Sequence, residues 1–127
     1  MHADATSLND LSGRIIGCSF TVLNALGAGF PEKIYENALA HERRKAGLVT
    51  AQQRSIAVMY DGIVAGEFAV DLLVEDMLLV ELKSVKTLVD EHRVQCLNYV
   101  KATGLPLCLL LNFGNPRLEV KRVVHRL

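Results

Sequence analysis

The chain of 127 residues is half hydrophobic and 22% charged, with 14 Lys and Arg against 14 Asp and Glu, a formal net charge of zero. A chain of this length buries roughly two thirds of its unfolded surface, enough for one core without disulfide staples and too little for two, so residues 1–127 read as a single domain. Apolar runs such as Leu105 to Leu111 fall far short of the roughly 18 to 20 residues of a membrane span. Residues 1–10 lack the basic and apolar stretches of a leader, and zero net charge speaks against broad coating of DNA or RNA. The expectation is a cytoplasmic protein with no membrane partner.

The first predicted element is a helix from Ser7 to Leu26, where Leu8, Leu11, Ile15, Val22, Leu23 and Leu26 follow helical spacing and Gly27 is a stop. A second helix begins at Pro31, a residue suited to the first helical position, and carries Arg43, Arg44 and Lys45 in its last turn before Gly47. From Gln53 the period changes to two: Ile56, Val58 and Tyr60 alternate with polar or small residues up to Asp61-Gly62, a hairpin dipeptide. The returning strand runs from Ile63 to Val74, Glu75-Asp76 turns the chain, and Met77 to Lys83 reads as a strand buried on both faces. Asp90 is placed to cap a third helix through Thr103, Gly104-Leu105-Pro106 ends it, and strands over 107–113 and 118–124 complete the order ααβββαββ. Cys18, Cys96 and Cys108 sit in apolar segments without paired spacing, which suits buried thiols rather than a zinc site or disulfides.

The zero net charge conceals a segregation. Residues 61–91 hold eight acids and two bases, a block of −6, and the remaining chain is +6. Its bases gather as Arg43-Arg44-Lys45 and as Arg117, Lys121, Arg122 and Arg126. Most such charges are solvated faces, but Asp71 and Glu81 stand inside segments otherwise built for burial, where an unpaired ion costs several kcal/mol. Strand alternation puts Glu81 and Lys83 on one face, and a turn at Glu75-Asp76 sets Asp71 level with Glu81. Two carboxylates and a backbone carbonyl suit a hard cation such as Mg²⁺ or Mn²⁺, with Lys83 beside an attacking water. The same pattern also fits a buried ion-pair network. Glu32 and Glu36 share one face of the second helix, and His92, Gln95 and Tyr99 form a polar stripe on the third.

The sequence resembles the GxxExxY family of the PD-(D/E)XK nuclease superfamily. The motif stands as Gly29-Phe-Pro-Glu32-Lys-Ile-Tyr35, and the likeness continues through Asp71-Leu-Leu-Val74, Val80-Glu-Leu-Lys-Ser-Val85, His92 to Gly104 and Leu109-Leu-Leu-Asn-Phe-Gly114. It implies an α/β restriction-endonuclease-like αβββαβ core, with a mixed central sheet flanked by helices, an extra N-terminal helix and an extra C-terminal strand. By the same resemblance Asp71, Glu81 and the Leu82 carbonyl bind Mg²⁺ or Mn²⁺. Lys83 assists the water, Gln95 and Tyr99 match a supporting Gln-x-x-x-Tyr motif, and Glu32 or Glu36 is the helix carboxylate that completes the site. Val70 stands where the superfamily's name has Pro. The expected activity is metal-dependent hydrolysis of DNA phosphodiesters, with the basic clusters holding flanking phosphates and a homodimer as a further expectation. The alternatives are a catalytically silent nuclease-fold module for protein or nucleic-acid interaction, and hydrolysis of another phosphate ester.

Overall fold

The computed structural model describes residues 5–125, with side chains from Ser7 onward. The element order is α1 (Ala5–Leu26), α2 (Glu32–Lys45), β1 (Thr50–Tyr60), β2 (Ile63–Val74), β3 (Leu78–Lys83), α3 (Asp90–Thr103), β4 (Leu107–Asn112) and β5 (Glu119–Val123). The five strands form one sheet in that order. β3 and β4 are parallel and every other neighbouring pair is antiparallel. A parallel pair needs a long crossover, and α3 is that crossover. The αβββαβ core, the additional first helix and the additional last strand match the expected architecture.

Alternation along the strands divides the core in two. Leu72, Val74, Leu78, Val80 and Leu82 pack with Ile15, Leu39 and Tyr35 of α1 and α2. Leu73, Leu79, Cys108 and Leu110 face the other way, against Cys96, Tyr99 and Val100 of α3. β3 and β4 are therefore covered on both sides, which explains their nearly unbroken apolar sequence. β1 and β2 instead run on beyond their contact with β3 as a two-stranded arm, because β2 pairs with β3 only from Leu72 to Val74. Cys96 and Cys108 are buried, Cys18 is half-buried and all three are free thiols, as their apolar settings suggest.

Most element ends fall within a residue or two of the sequence reading, and three differences have a physical reason or a larger size. Pro31 precedes α2 instead of opening it. β1 begins three residues before Gln53. At α3 the cap is Val89, in extended backbone, and its N–H donates to Nδ1 of His92 at 3.2 Å. Asp90 is the first helical residue and pairs with Arg93 at 2.8 Å. A carboxylate in the first turn already meets the positive end of the helix dipole, so Asp90 is effective without being the cap.

Two loops are tied down by polar side chains at their bases. Between α1 and α2, buried Tyr35 donates its hydroxyl to the Gly27 carbonyl at 2.5 Å and accepts from the Phe30 N–H at 3.0 Å. Its ring stacks on Phe113 at 4.6 Å, and the Gly29 N–H reaches the Phe113 carbonyl at 3.2 Å. After β3, fully buried Asn112 accepts from the N–H groups of Val85 and Gly114 and donates to the Val85 carbonyl and Glu119. This clamp fixes the chain immediately after Lys83.

Candidate active site

The antiparallel register of β2 and β3 pairs Leu72 with Val80 and then stops. The next two residues outward in that register are Asp71 and Glu81. Directly opposed residues share a face of the sheet, and here both carry carboxylates. Where the ladder opens, the Leu82 N–H donates to Oδ2 of Asp71 at 2.8 Å, and the Asp71 N–H lies 3.5 Å from Oε1 of Glu81. Side-chain oxygens therefore replace the missing ladder bonds.

Glu81 is 5% exposed. Burial, and then the facing charge of Asp71, push its carboxyl up to about 8, against a smaller opposing pull from Lys83. Nζ of Lys83 is 3.7 Å from Oε2 of Glu81. Tyr99 is buried beside them. Its hydroxyl is held well above the usual phenol range by burial and by the charges of Glu81 and Asp71, and it accepts a hydrogen bond from Nε2 of Gln95 at 2.7 Å. The Tyr99 ring stacks on Phe68 of β2 at 4.5 Å, which locks α3 to the arm. His92 stands apart from this cluster, at the helix cap.

The two helix carboxylates differ in setting. Glu36 is 3% exposed and faces the sheet, whereas Glu32, one turn earlier, is exposed. Oε2 of Glu36 accepts from Lys33 at 3.0 Å and from Gln52 at 2.8 Å, and Oε1 accepts from Gln53 at 2.7 Å. Nε2 of Gln53 also lies 3.1 Å from Oδ1 of Asp71. The acids thus form a row, Glu36, Asp71 and Glu81, with the Gln53 amide between the first two.

Gln53 was not among the residues that the sequence singles out. A strand glutamine next to another glutamine carries no signal in a pattern of alternating exposure. Its backbone supplies one: φ is +52°, a left-handed conformation that is uncommon for a residue with a Cβ. β1 and β2 pair on both sides of Gln53 and Asp71, Gln52 with Leu72 and Arg54 with Val70, while skipping those two residues. Gln52 and Gln53 can consequently both reach Glu36, although successive residues of a regular strand point to opposite faces.

The basic clusters are distributed differently from the sequence expectation. Arg43 is fully buried, its Nη2 donating to the Arg14 carbonyl at 3.1 Å and touching Sγ of Cys18. Nε and Nη1 have no hydrogen-bond partner among the described residues, and burial lowers the affinity of the guanidinium for its proton. It is closed off from any phosphate, because apolar spacing put it on the inner face of α2. Arg44 remains exposed and bonds Gln52 and the Thr50 carbonyl, and Lys45 pairs with Glu42. Arg122 is tied to Ser12 and Asn9, Arg117 and Lys121 are exposed, and Arg126 lies outside the described residues.

Beside Tyr99 a cavity of about 730 Å³ opens between the arm and α3, lined by Val58, Met59 and Phe68 on one side and by Gln95, Asn98 and Lys101 on the other. The arm ends in exposed Met59, Tyr60, Ile63 and Val64. No helix among the described residues is long and apolar enough to cross a membrane.

The donor set suits a hard divalent cation: the opposed Asp71 and Glu81 offer oxygen ligands at the open end of the ladder, and a bound cation would favour the ionised form of Glu81. Among the described residues no three His, Cys, Asp or Glu side chains gather closely enough to hold a metal by themselves. Asp71 and Glu81 oppose each other as a pair, and the Gln53 amide stands between Glu36 and Asp71.

A family model described as the PD-(D/E)XK nuclease superfamily matches residues 9–123. The crystal structure of SSO0001 superposes with a TM-score of 0.60 at 15% identity, over 75% of this chain and 50% of that one. An alkaline exonuclease, LHK-Exo from Laribacter hongkongensis, superposes with a TM-score of 0.56 at 16% identity, over 99% of this chain and 73% of that one. This chain therefore spans half the length of SSO0001. At such identities the likeness is one of fold. No curated protein matches the sequence.

Proposed function

The chain belongs to the PD-(D/E)XK nuclease superfamily, and from that premise we propose that it hydrolyses phosphodiester bonds of DNA with Mg²⁺ or Mn²⁺. The observation that carries the proposal is the opposed pair Asp71 and Glu81 at the mouth of the β2–β3 ladder, with Lys83 at 3.7 Å from Glu81. Asp71 and Glu81, the Leu82 main chain and Glu36 would hold the ion. When bound, the cation supplies positive charge against the scissile phosphate and makes a nearby water more acidic.

The side chains divide the remaining work. Lys83, 17% exposed, offers its ammonium to the incoming water and to a phosphate oxygen. Tyr99 and Gln95 brace the α3 wall of the site. The cavity next to them presents apolar and aromatic surface on one side and carboxamides with Lys101 on the other, a combination suited to a nucleic-acid strand. Cytoplasmic action on DNA and a homodimer belong to the same reading.

A silent interaction module is the second reading, favoured by the burial of Glu81, which together with the facing Asp71 raises its carboxyl to about 8 and favours its protonated form while no metal is bound. Cleavage assays separate the two. Linear, nicked, branched and single-stranded DNA are incubated with Mg²⁺, Mn²⁺ or chelator, beside Asp71→Ala and Lys83→Ala. Metal-dependent cleavage lost in both variants supports the nuclease. Cleavage that persists in both variants overturns the site assignment, and absence of both cleavage and Mn²⁺ binding supports the module.

A further inference from the structure

We infer that Gln53 is a positioning residue that yokes Glu36 to Asp71 and so sets the Asp71 carboxylate at the cation site. The inference rests on the metal-dependent reading above and deepens it. A single amide nitrogen lies 2.7 Å from Oε1 of Glu36 and 3.1 Å from Oδ1 of Asp71. Two like-charged oxygens brought together by burial repel each other. An N–H₂ donor between them offsets that repulsion and fixes both at once, since it has two protons to give.

The backbone shows that this arrangement is not a by-product of strand packing. Gln53 holds φ at +52°, where glycine is the comfortable residue. The pairing of β1 with β2 resumes in the same register on both sides, so the irregularity neither bends the strand into a new partner nor corrects a mismatch. Its local effect is to let Gln52 and Gln53 address the two oxygens of one carboxylate. Backbone strain held in place by its surroundings is found preferentially at functional sites. Glu32, on the same helix, is exposed.

This role separates stability from cation affinity. Gln53→Gly relieves the left-handed backbone while removing the yoke; Gln53→Asn keeps an amide and tolerates positive φ but is one methylene too short to span both acids. The variants are compared by thermal melting in chelator and by calorimetric titration with Mn²⁺. We expect Gln53→Gly to melt within a few degrees of the parent and to bind Mn²⁺ at least tenfold more weakly, with Gln53→Asn in between. In a Glu36→Gln background, Gln53→Gly should add little further loss, because the two residues act as one unit.

Mn²⁺ binding by Gln53→Gly as tight as that of the parent overturns the inference, as do losses from Glu36→Gln and Gln53→Gly that multiply independently. A parent protein that takes up no Mn²⁺ overturns the metal reading together with this one, whereas a parent that binds normally beside an unaffected Gln53→Gly overturns this one alone.

Discussion

Replacing Glu81 by Gln should make the metal-free protein more stable, and by an amount that grows with pH. In the unfolded chain the carboxyl titrates near 4.5, and in the fold it titrates near 8. Between those values the folded state holds a proton that the unfolded state has released, so stability falls as pH rises. The contribution is fully present below about 4.5 and is lost as pH passes through 8. Each pH unit in this window is worth about 1.4 kcal/mol and the whole span on the order of 5 kcal/mol. Urea denaturation of the parent and Glu81→Gln, in chelator at pH 5, 6, 7 and 8, reads the difference directly. Between pH 5 and 7 the parent should lose about 2 to 3 kcal/mol relative to the variant. Mn²⁺ should abolish most of that slope in the parent, because a cation favours the ionised carboxyl. A stability difference constant across pH, or one that widens towards low pH, would refute the account of Glu81 as a buried acid destabilised by its ionisation.

Three further outcomes test other parts of the structure. Gly114→Ala would place a Cβ 2.0 Å from the Val85 carbonyl oxygen; the displaced loop should cost on the order of 3 kcal/mol and lower cleavage by disturbing Lys83, seen as a lower melting temperature together with a reduced rate. Arg43→Met should raise stability by about 1 to 2 kcal/mol, because two buried guanidinium nitrogens without partners are replaced by apolar volume; a lower melting temperature would mean that those nitrogens are satisfied. Lys101→Ala should weaken DNA binding and reduce the slope of log K against log salt by about 1, measured by fluorescence anisotropy, and an unchanged slope would place the strand away from the cavity beside α3.

The parts of the fold that could be read from sequence are those in which a local pattern and a tertiary requirement coincide. β3 is apolar at every position except Glu81 and Lys83, and the covered sheet demands that. Asp71 and Glu81 could be set level by counting from the Glu75-Asp76 turn, because antiparallel register is fixed once a turn is known. Arg43 shows the opposite case. Its neighbours Arg44 and Lys45 made it look like part of a solvated basic end, but helical geometry turns it inward between α1 and α2, where Cys18 and the Arg14 carbonyl meet it. Gln53 was hidden for a different reason: its left-handed backbone breaks the period on which the strand reading depends, and no residue type announces such a break unless it is glycine, asparagine or aspartate.

Two residues of the conspicuous motif hold loops together. Gly29 and Tyr35 belong to the latch that joins the α1–α2 loop to Phe113, through the Gly29 N–H and the Tyr35 ring. Asn112 and Gly114 belong to the clamp that holds Val85. Phe113, between them, is the surface on which Tyr35 stacks. The two devices are thus one packed unit, with α2 leaving from one side of it and the chain after β3 arriving at the other. Glu36 sits one residue past Tyr35 and Lys83 two residues before Val85, so the same unit sets the position of a carboxylate and of an ammonium that reach the site from elements far apart in sequence. Loosening it at Tyr35 should disturb Glu36 and Lys83 together, whereas Gln53→Gly should uncouple Glu36 from Asp71 and leave Lys83 in place.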